Sequence, residues 1–188
     1  MIPVFFPTGS PASASKERVS DAELVERHRA AVYRAAQAAV GSASEAEDVA
    51  QETFLAAYRK MATYRAEASF KTWLLTIAWR RALARRRRLA SLWRRLVSAD
   101  PPEPASPEHS RTQERVLIEA ERARHVMRLV RALPARLRDP LLLCAAGEQT
   151  YHEIAIVLGV PEGTLKWRVS EARRRLKQRL AALGYGDE

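Results

Sequence analysis

Apolar side chains recur along this chain at three- and four-residue intervals, and no useful stretch alternates strictly, so the pattern predicts helices and gives strands little support. The first half reads as three helices. One carries Leu24, Val25, His28, Val32, Tyr33, Ala36 and Val40 and stops near Gly41. A second runs from about Ala46 to Met61, where the helical period puts Ala46, Val49, Ala50, Thr53, Phe54, Ala57 and Met61 on one buried face. Ser20 to Glu23 and Ser44 to Glu47 both have the Ser-x-x-Glu form of a capping box and mark the two starts. A third helix starts near Ser69 and extends to about Leu96, apolar and aromatic at its beginning and basic at its end.

Proline divides the rest. Pro101, Pro102, Pro104 and Pro107 fall in a stretch that lacks periodicity, the composition of an extended linker. A long helix then runs from roughly Pro107 to Leu133, with Val116, Leu117, Ala120, Ala123, Met127 and Val130 as its stripe, and Pro134 ends it. Asp139-Pro140 fits an N-cap followed by a first-turn proline, opening a short helix that stops at Gly147. In the last two helices, Ala155 permits a close crossing and Gly159 a sharp turn. Leu165, Val169, Ala172, Leu176 and Leu180 then form a buried stripe. This is a helix-turn-helix pattern. The predicted fold is all-α: two small helical domains, residues 20–97 and 112–183, joined by a Pro-rich linker at 98–111 and preceded by a disordered tail, 1–19.

Charge changes the picture, because the formal +10 is concentrated. Residues 80–95 hold eight arginines and no acid, and residues 166–179 carry a net +6. With those blocks removed, the remaining residues sum to −4. Two separate anionic contacts are expected. The single cysteine, Cys144, lies in an apolar run and reads as a small buried hydrophobe, and the four histidines have no metal-ligand spacing. No nucleophile arrangement, phosphate loop or cofactor motif is present, and no apolar run approaches the roughly 18 residues of a membrane span. The expectation is a cytoplasmic, non-enzymatic protein without metal or cofactor.

In the usual docking of a helix-turn-helix, the first turn of the second helix enters the major groove and the rest follows the backbone. Base-edge contacts are therefore expected from among Glu162, Lys166, Trp167 and Arg168, and phosphate contacts from Arg173, Arg174 and Lys177. A plain αα-hairpin with a basic solvated face is the bland alternative. On the second helix, Asp48, Gln51, Glu52 and Arg59 point away from the core with Leu55 among them, either a docking point or one of the scattered exposed leucines that surfaces carry.

Two motifs in order carry a resemblance. Residues Ala46 to Phe54, with Thr72 to Ala78, resemble conserved region 2 of bacterial sigma-70-family factors, and Ala132-Leu133-Pro134 through Ala172-Arg173 is similar to region 4. With nothing like regions 1 or 3, the chain resembles the small extracytoplasmic-function group. That resemblance implies a promoter-specificity subunit of RNA polymerase. Asp48, Gln51, Glu52 and Leu55 would dock on the β′ clamp helices, and the β flap is implied as a further contact of core polymerase. Tyr64, Phe70 and Trp79, with Arg80, Arg81, Arg85, Arg86 and Arg88, would capture and hold single-stranded DNA of the −10 element. Trp73, also aromatic, reads as core. Glu162, Gly163, Thr164, Lys166, Trp167, Arg168, Arg173, Arg174 and Lys177 would read the −35 duplex. An anti-sigma partner, often membrane-bound in that family, is also implied.

Three positions depart from the family. Arg80 stands where an asparagine is common, Trp167 replaces a small residue, and Glu171 replaces a frequent basic one. Glu171 could accept from a cytosine amine or pair with Arg174 or Arg175. The competing readings are a stand-alone helix-turn-helix regulator with an N-terminal dimerisation or sensing domain, which leaves the first arginine block unexplained, and a recombinase or nuclease, which lacks a catalytic arrangement.

Overall fold

A computed structural model describes residues 21–96, 111–147 and 149–183. The tail at 1–19, Ser20 and the linker at 98–110 lie outside the described residues, as do the side chains of Val116, Leu117 and Ala120. Seven helices are described: α1 (Asp21–Val40), α2 (Ala43–Lys60), α3 (Phe70–Leu96), α4 (Arg111–Arg131), α5 (Ala135–Ala146), α6 (Tyr151–Leu158) and α7 (Glu162–Ala182), with a 3₁₀ turn at Met61–Thr63. The described fold is all-α, as the periodicity predicts.

Local chemistry accounts for most boundaries. Gly41, at φ +78°, ends α1 in the left-handed region that glycine occupies without a Cβ clash. At the start of α3 the Ser69 hydroxyl accepts the Thr72 amide at 3.1 Å, an N-cap bond. Two expected boundaries differ. The N-cap of α2 is Ser42 and makes no side-chain cap bond, so the Ser44 to Glu47 pattern lies inside the helix. α5 begins after Pro134, whose carbonyl accepts the amides of Leu137 and Arg138, so Asp139 is not a cap and Pro140 sits inside the helix. Gly147 does end α5, but with extended backbone rather than a left-handed turn.

α1, α2 and α3 pack on one another, and α5, α6 and α7 do the same. The two groups also pack together, α1 against α5 and α3 against α6, so one apolar cluster runs from Val32, Val49, Leu74 and Trp79 to Leu143, Ile154, Val157 and Leu165. Met61 and Met127, expected in the core, are exposed, because the chain leaves the α2 phase at the 3₁₀ turn and α4 buries Val130 instead.

Among the described residues, polar contacts cross between the halves at three places. Arg34 Nε donates to the Ala146 carbonyl at 3.0 Å, satisfying an end of α5 that has no internal partner. Thr72 Oγ1 donates to Glu153 Oε1 at 3.4 Å. Arg86 Nη2 reaches both Asp139 oxygens, at 3.0 and 3.2 Å, and Arg138 adds a third bond to Asp139 at 3.3 Å. At this last site the side chains are only 14–25 % exposed, so an orphaned charge is costly. Asp139→Ala should weaken the docking of the halves by about 1–3 kcal/mol. Small-angle scattering should then show a larger maximum dimension with the helix content unchanged, and an unaltered profile would remove this pair as a clasp.

Candidate functional site

Three surfaces carry the chemistry. On α2, Glu45, Asp48 and Glu52 are spaced three and four residues apart and therefore share a face. Leu55 continues it, 60 % exposed, and Gln51 is exposed beside it. The face is lined from the other side by α3. Arg85 Nη2 lies 2.6 Å from Asp48 Oδ2, its Nη1 3.5 Å from Glu52 Oε1, and its Nε donates to Glu45; Arg81 Nη1 lies 3.0 Å from Glu52 Oε2.

The second surface is the turn before α3. Tyr64, Phe70 and Trp73 form a half-buried aromatic group with ring centroids 5.3 to 5.6 Å apart, and His28 of α1 stacks obliquely on Phe70 at 5.6 Å. Burial, aided by Arg27 and Lys71, pushes the His28 imidazole below its usual pKa. The Tyr64 hydroxyl donates to the Ala68 carbonyl at 2.8 Å and closes the loop, and Ala66 sits at φ +57° within it. A non-glycine residue costs roughly 1–2 kcal/mol in that region. Nothing in the sequence marks Ala66 for it.

Of the residues expected to face the −10 strand, these two aromatics, Tyr64 and Phe70, lie together, while Trp79 does not join them. Trp79 is 1 % exposed within the core, because its helical phase is that of Leu75, Ala78 and Ala82, and its Nε1 has no acceptor. The arginine block is divided in the same way. At about 100° per residue its members fan around α3. Arg81 and Arg85 turn to the acids of α2, Arg86 turns to Asp139, and Arg80 and Arg88 are exposed to solvent. Three of the five arginines expected on the −10 strand, Arg81, Arg85 and Arg86, are thus engaged by carboxylates.

The third surface is the helix-turn-helix. Thr150 caps α6 reciprocally with Glu153: the Thr150 hydroxyl accepts the Glu153 amide at 3.2 Å, and the Thr150 amide donates to Glu153 Oε2 at 2.8 Å. The bond from the Thr150 backbone amide, with a second that the Thr150 hydroxyl donates to Oε2 at 3.1 Å, holds the Glu153 carboxyl below the usual range. The Thr-x-x-Glu spacing is itself the signal for this box, and the sequence reading passed over it. Gly159 turns the chain at φ +65°, ψ +41°, and Ile154, Ala155, Val157, Leu165, Val169 and Ala172 are buried.

α7 offers its first turn outward. Trp167 is 58 % exposed, Lys166 and Gly163 are exposed, and Glu162, Thr164 and Arg168 are half-exposed. Glu162 engages Lys166 Nζ at 2.7 Å and His152 at 3.5 Å. Further along, Arg173, Arg174 and Lys177 are exposed. Glu171 pairs with Arg174 at 2.8 Å and with Arg175 at 2.7 Å, and these bonds hold its carboxyl at about 2. Of the two roles open to Glu171, the structure has the ion pair. Among the described residues, no group of three or more His, Cys, Asp or Glu side chains is placed to hold a metal, and no helix is long and apolar enough to cross a membrane.

Comparison with known proteins meets these surfaces from outside. Residues 24–92 match Sigma-70 region 2 and residues 123–176 match Sigma-70, region 4. The chain is 31% identical over 166 residues to the ECF RNA polymerase sigma factor SigE of Mycolicibacterium smegmatis, a match covering 85% of this chain and 61% of that protein. The chain therefore spans about three-fifths of the length of that curated relative. Among solved structures, it resembles the sigma factor RpoE of Bartonella quintana, in complex with the anti-sigma factor NepR, with a TM-score of 0.60, 22% identity and coverage of 85% of this chain and 96% of that one. It also resembles CnrH, in complex with the cytosolic domain of CnrY, with a TM-score of 0.59, 24% identity and coverage of 86% and 88%. Those two likenesses bear on the fold. Two family regions in their proper order, on two helical halves with a helix-turn-helix in the second, place the chain in the sigma-70 family, in its extracytoplasmic-function group.

Proposed function

We propose that this chain is a transcription initiation factor that binds core RNA polymerase, directs it to promoters and helps to open them, without catalysing a reaction itself. Asp48, Gln51, Glu52 and Leu55 dock on the β′ clamp helices, and the C-terminal half docks on the β flap. Tyr64 and Phe70 take an unstacked base of the −10 element, with Arg80 and Arg88 on the backbone, and the exposed start of α7 reads the −35 duplex. Aromatic stacking returns about 1–3 kcal/mol per base, the same scale as removing a base from the stack. The protein works in the cytoplasm, and an anti-sigma partner restrains it by covering these surfaces. The observation that carries the reading is Leu55, open to solvent at the end of an acidic stripe and so able to anchor a basic partner.

The test is promoter-directed transcription. Core polymerase with this protein should initiate at a promoter carrying the matching −35 and −10 elements, and core polymerase alone should not. Tight, specific duplex binding without any association with core polymerase would favour the stand-alone regulator and sink this reading. For the recognition helix, Arg173→Ala should reduce the salt slope of duplex binding by about one, equally on all sequences, whereas Lys166→Ala should change which sequences are preferred. A Lys166→Ala protein with unaltered preference would overturn the orientation assigned to α7.

A further inference from the structure

We propose that Arg85, although it lies in the basic block of α3, is a positioning residue for the polymerase-docking face of α2 and not a DNA ligand. The proposal rests on the reading of that face given above. Its warrant is the way one guanidinium is shared. Each of the three nitrogens of Arg85 addresses a different carboxylate, Nε that of Glu45, Nη2 that of Asp48 and Nη1 that of Glu52, and Arg81, one turn earlier, takes the second oxygen of Glu52. Three acids within one stripe of a helix repel one another. A planar fork with fixed donor directions can hold all three, whereas the ammonium of a lysine is a single compact charge.

Exposure shows which side of the network remains available. The Arg85 side chain is 18 % exposed and Glu45 24 %, while Asp48 and Glu52 are 56 % and 47 % exposed. Arg85 thus grips the carboxylates from the inside and leaves them open to a partner outside. Carboxylates have about four acceptor positions each, so an internal arginine and an external cation can share one. Fixing these side chains beforehand removes part of the ordering cost of association. The same crowding argues against a DNA role, since a phosphate reaching Arg85 would come to rest among three negative groups.

The experiment uses the full chain with Arg85→Met, which keeps length without charge, and Arg85→Lys, which keeps charge without the fork. Core-polymerase affinity should fall about tenfold for Arg85→Met and about threefold for Arg85→Lys. The salt slope of binding to single-stranded −10 DNA should stay that of the wild type. In a double-mutant cycle on core binding, Arg85→Met and Asp48→Asn should be strongly non-additive, a coupling that general loss of stability would not produce. A salt slope reduced by about 0.7 with core affinity unchanged would make Arg85 a phosphate ligand and overturn the proposal. Additive effects would overturn it too, as would a silent Arg85→Met where Asp48→Asn weakens binding. If the wild type fails to bind core polymerase, or Asp48→Asn has no effect, the docking-face reading falls instead.

Discussion

Trp79→Ala should destabilise the protein by about 3–5 kcal/mol, the largest effect expected of any single truncation here. Trp79 is the largest of the fully buried side chains, and it sits in the cluster shared by α1, α2 and α3. Its removal combines lost burial with a cavity that helices on either side cannot close without moving. Against a total stability of about 5–15 kcal/mol for a domain, that is a large fraction. The contrast with phenylalanine sharpens the test. Trp79→Phe retains most of the apolar volume and deletes an Nε1–H that has no acceptor, so it should cost less than about 1.5 kcal/mol. Urea titration followed by far-ultraviolet circular dichroism separates the two variants. A Trp79→Ala protein of wild-type stability that binds single-stranded DNA poorly would return this residue to the role of a base-stacking aromatic.

Charge reversal of Asp48 and Glu52 to lysine together should lower affinity for core polymerase by more than about 100-fold. Removing one member of a hydrogen-bonded interfacial charge pair costs about 2–5 kcal/mol, and 1.4 kcal/mol is a factor of ten. Part of the loss is internal, because the new ammonium groups face Arg81 and Arg85 and push the stripe apart. The dependence of core binding on ionic strength should also weaken or change sign, as attraction between complementary charges gives way to a repulsion that salt screens. Fluorescence anisotropy with labelled protein, titrated with core polymerase at two salt concentrations, reads both effects. Wild-type affinity in the doubly reversed protein would dismiss α2 as the docking face.

What could be read from the chain beforehand follows physical range. The helix-turn-helix was legible because its causes are local: Gly159 must take a positive φ, and Leu165, Val169 and Ala172 repeat at helical spacing. Leu55 was legible as a phase anomaly on an otherwise polar face. How the arginines divide between solvent and the acids of α2 and α5 was not legible from charge counted along the chain, because a helix distributes neighbours around its axis. Trp79 was misassigned by aromatic chemistry when its phase, shared with Leu75 and Ala82, already pointed inward. Asp139 shows a different limit. Asp-Pro is a good helix start in isolation, and here Pro134 starts the helix a turn earlier, leaving the carboxylate to a partner 53 residues away. No periodicity announces which helix will lie across from which.

The polar contacts between the halves join residues 53, 81 and 112 positions apart, whereas the N-terminal trio of helices closes its own core around Val32, Val49, Leu74 and Trp79. Chain topology makes near contacts fast and distant ones slow. During synthesis, α1, α2 and α3 leave the ribosome first with their mutual partners complete, and α5 and α6 arrive afterwards onto a surface already formed. Docking of the halves should accordingly follow the closing of the N-terminal core, an order that refolding kinetics with probes in each half would check.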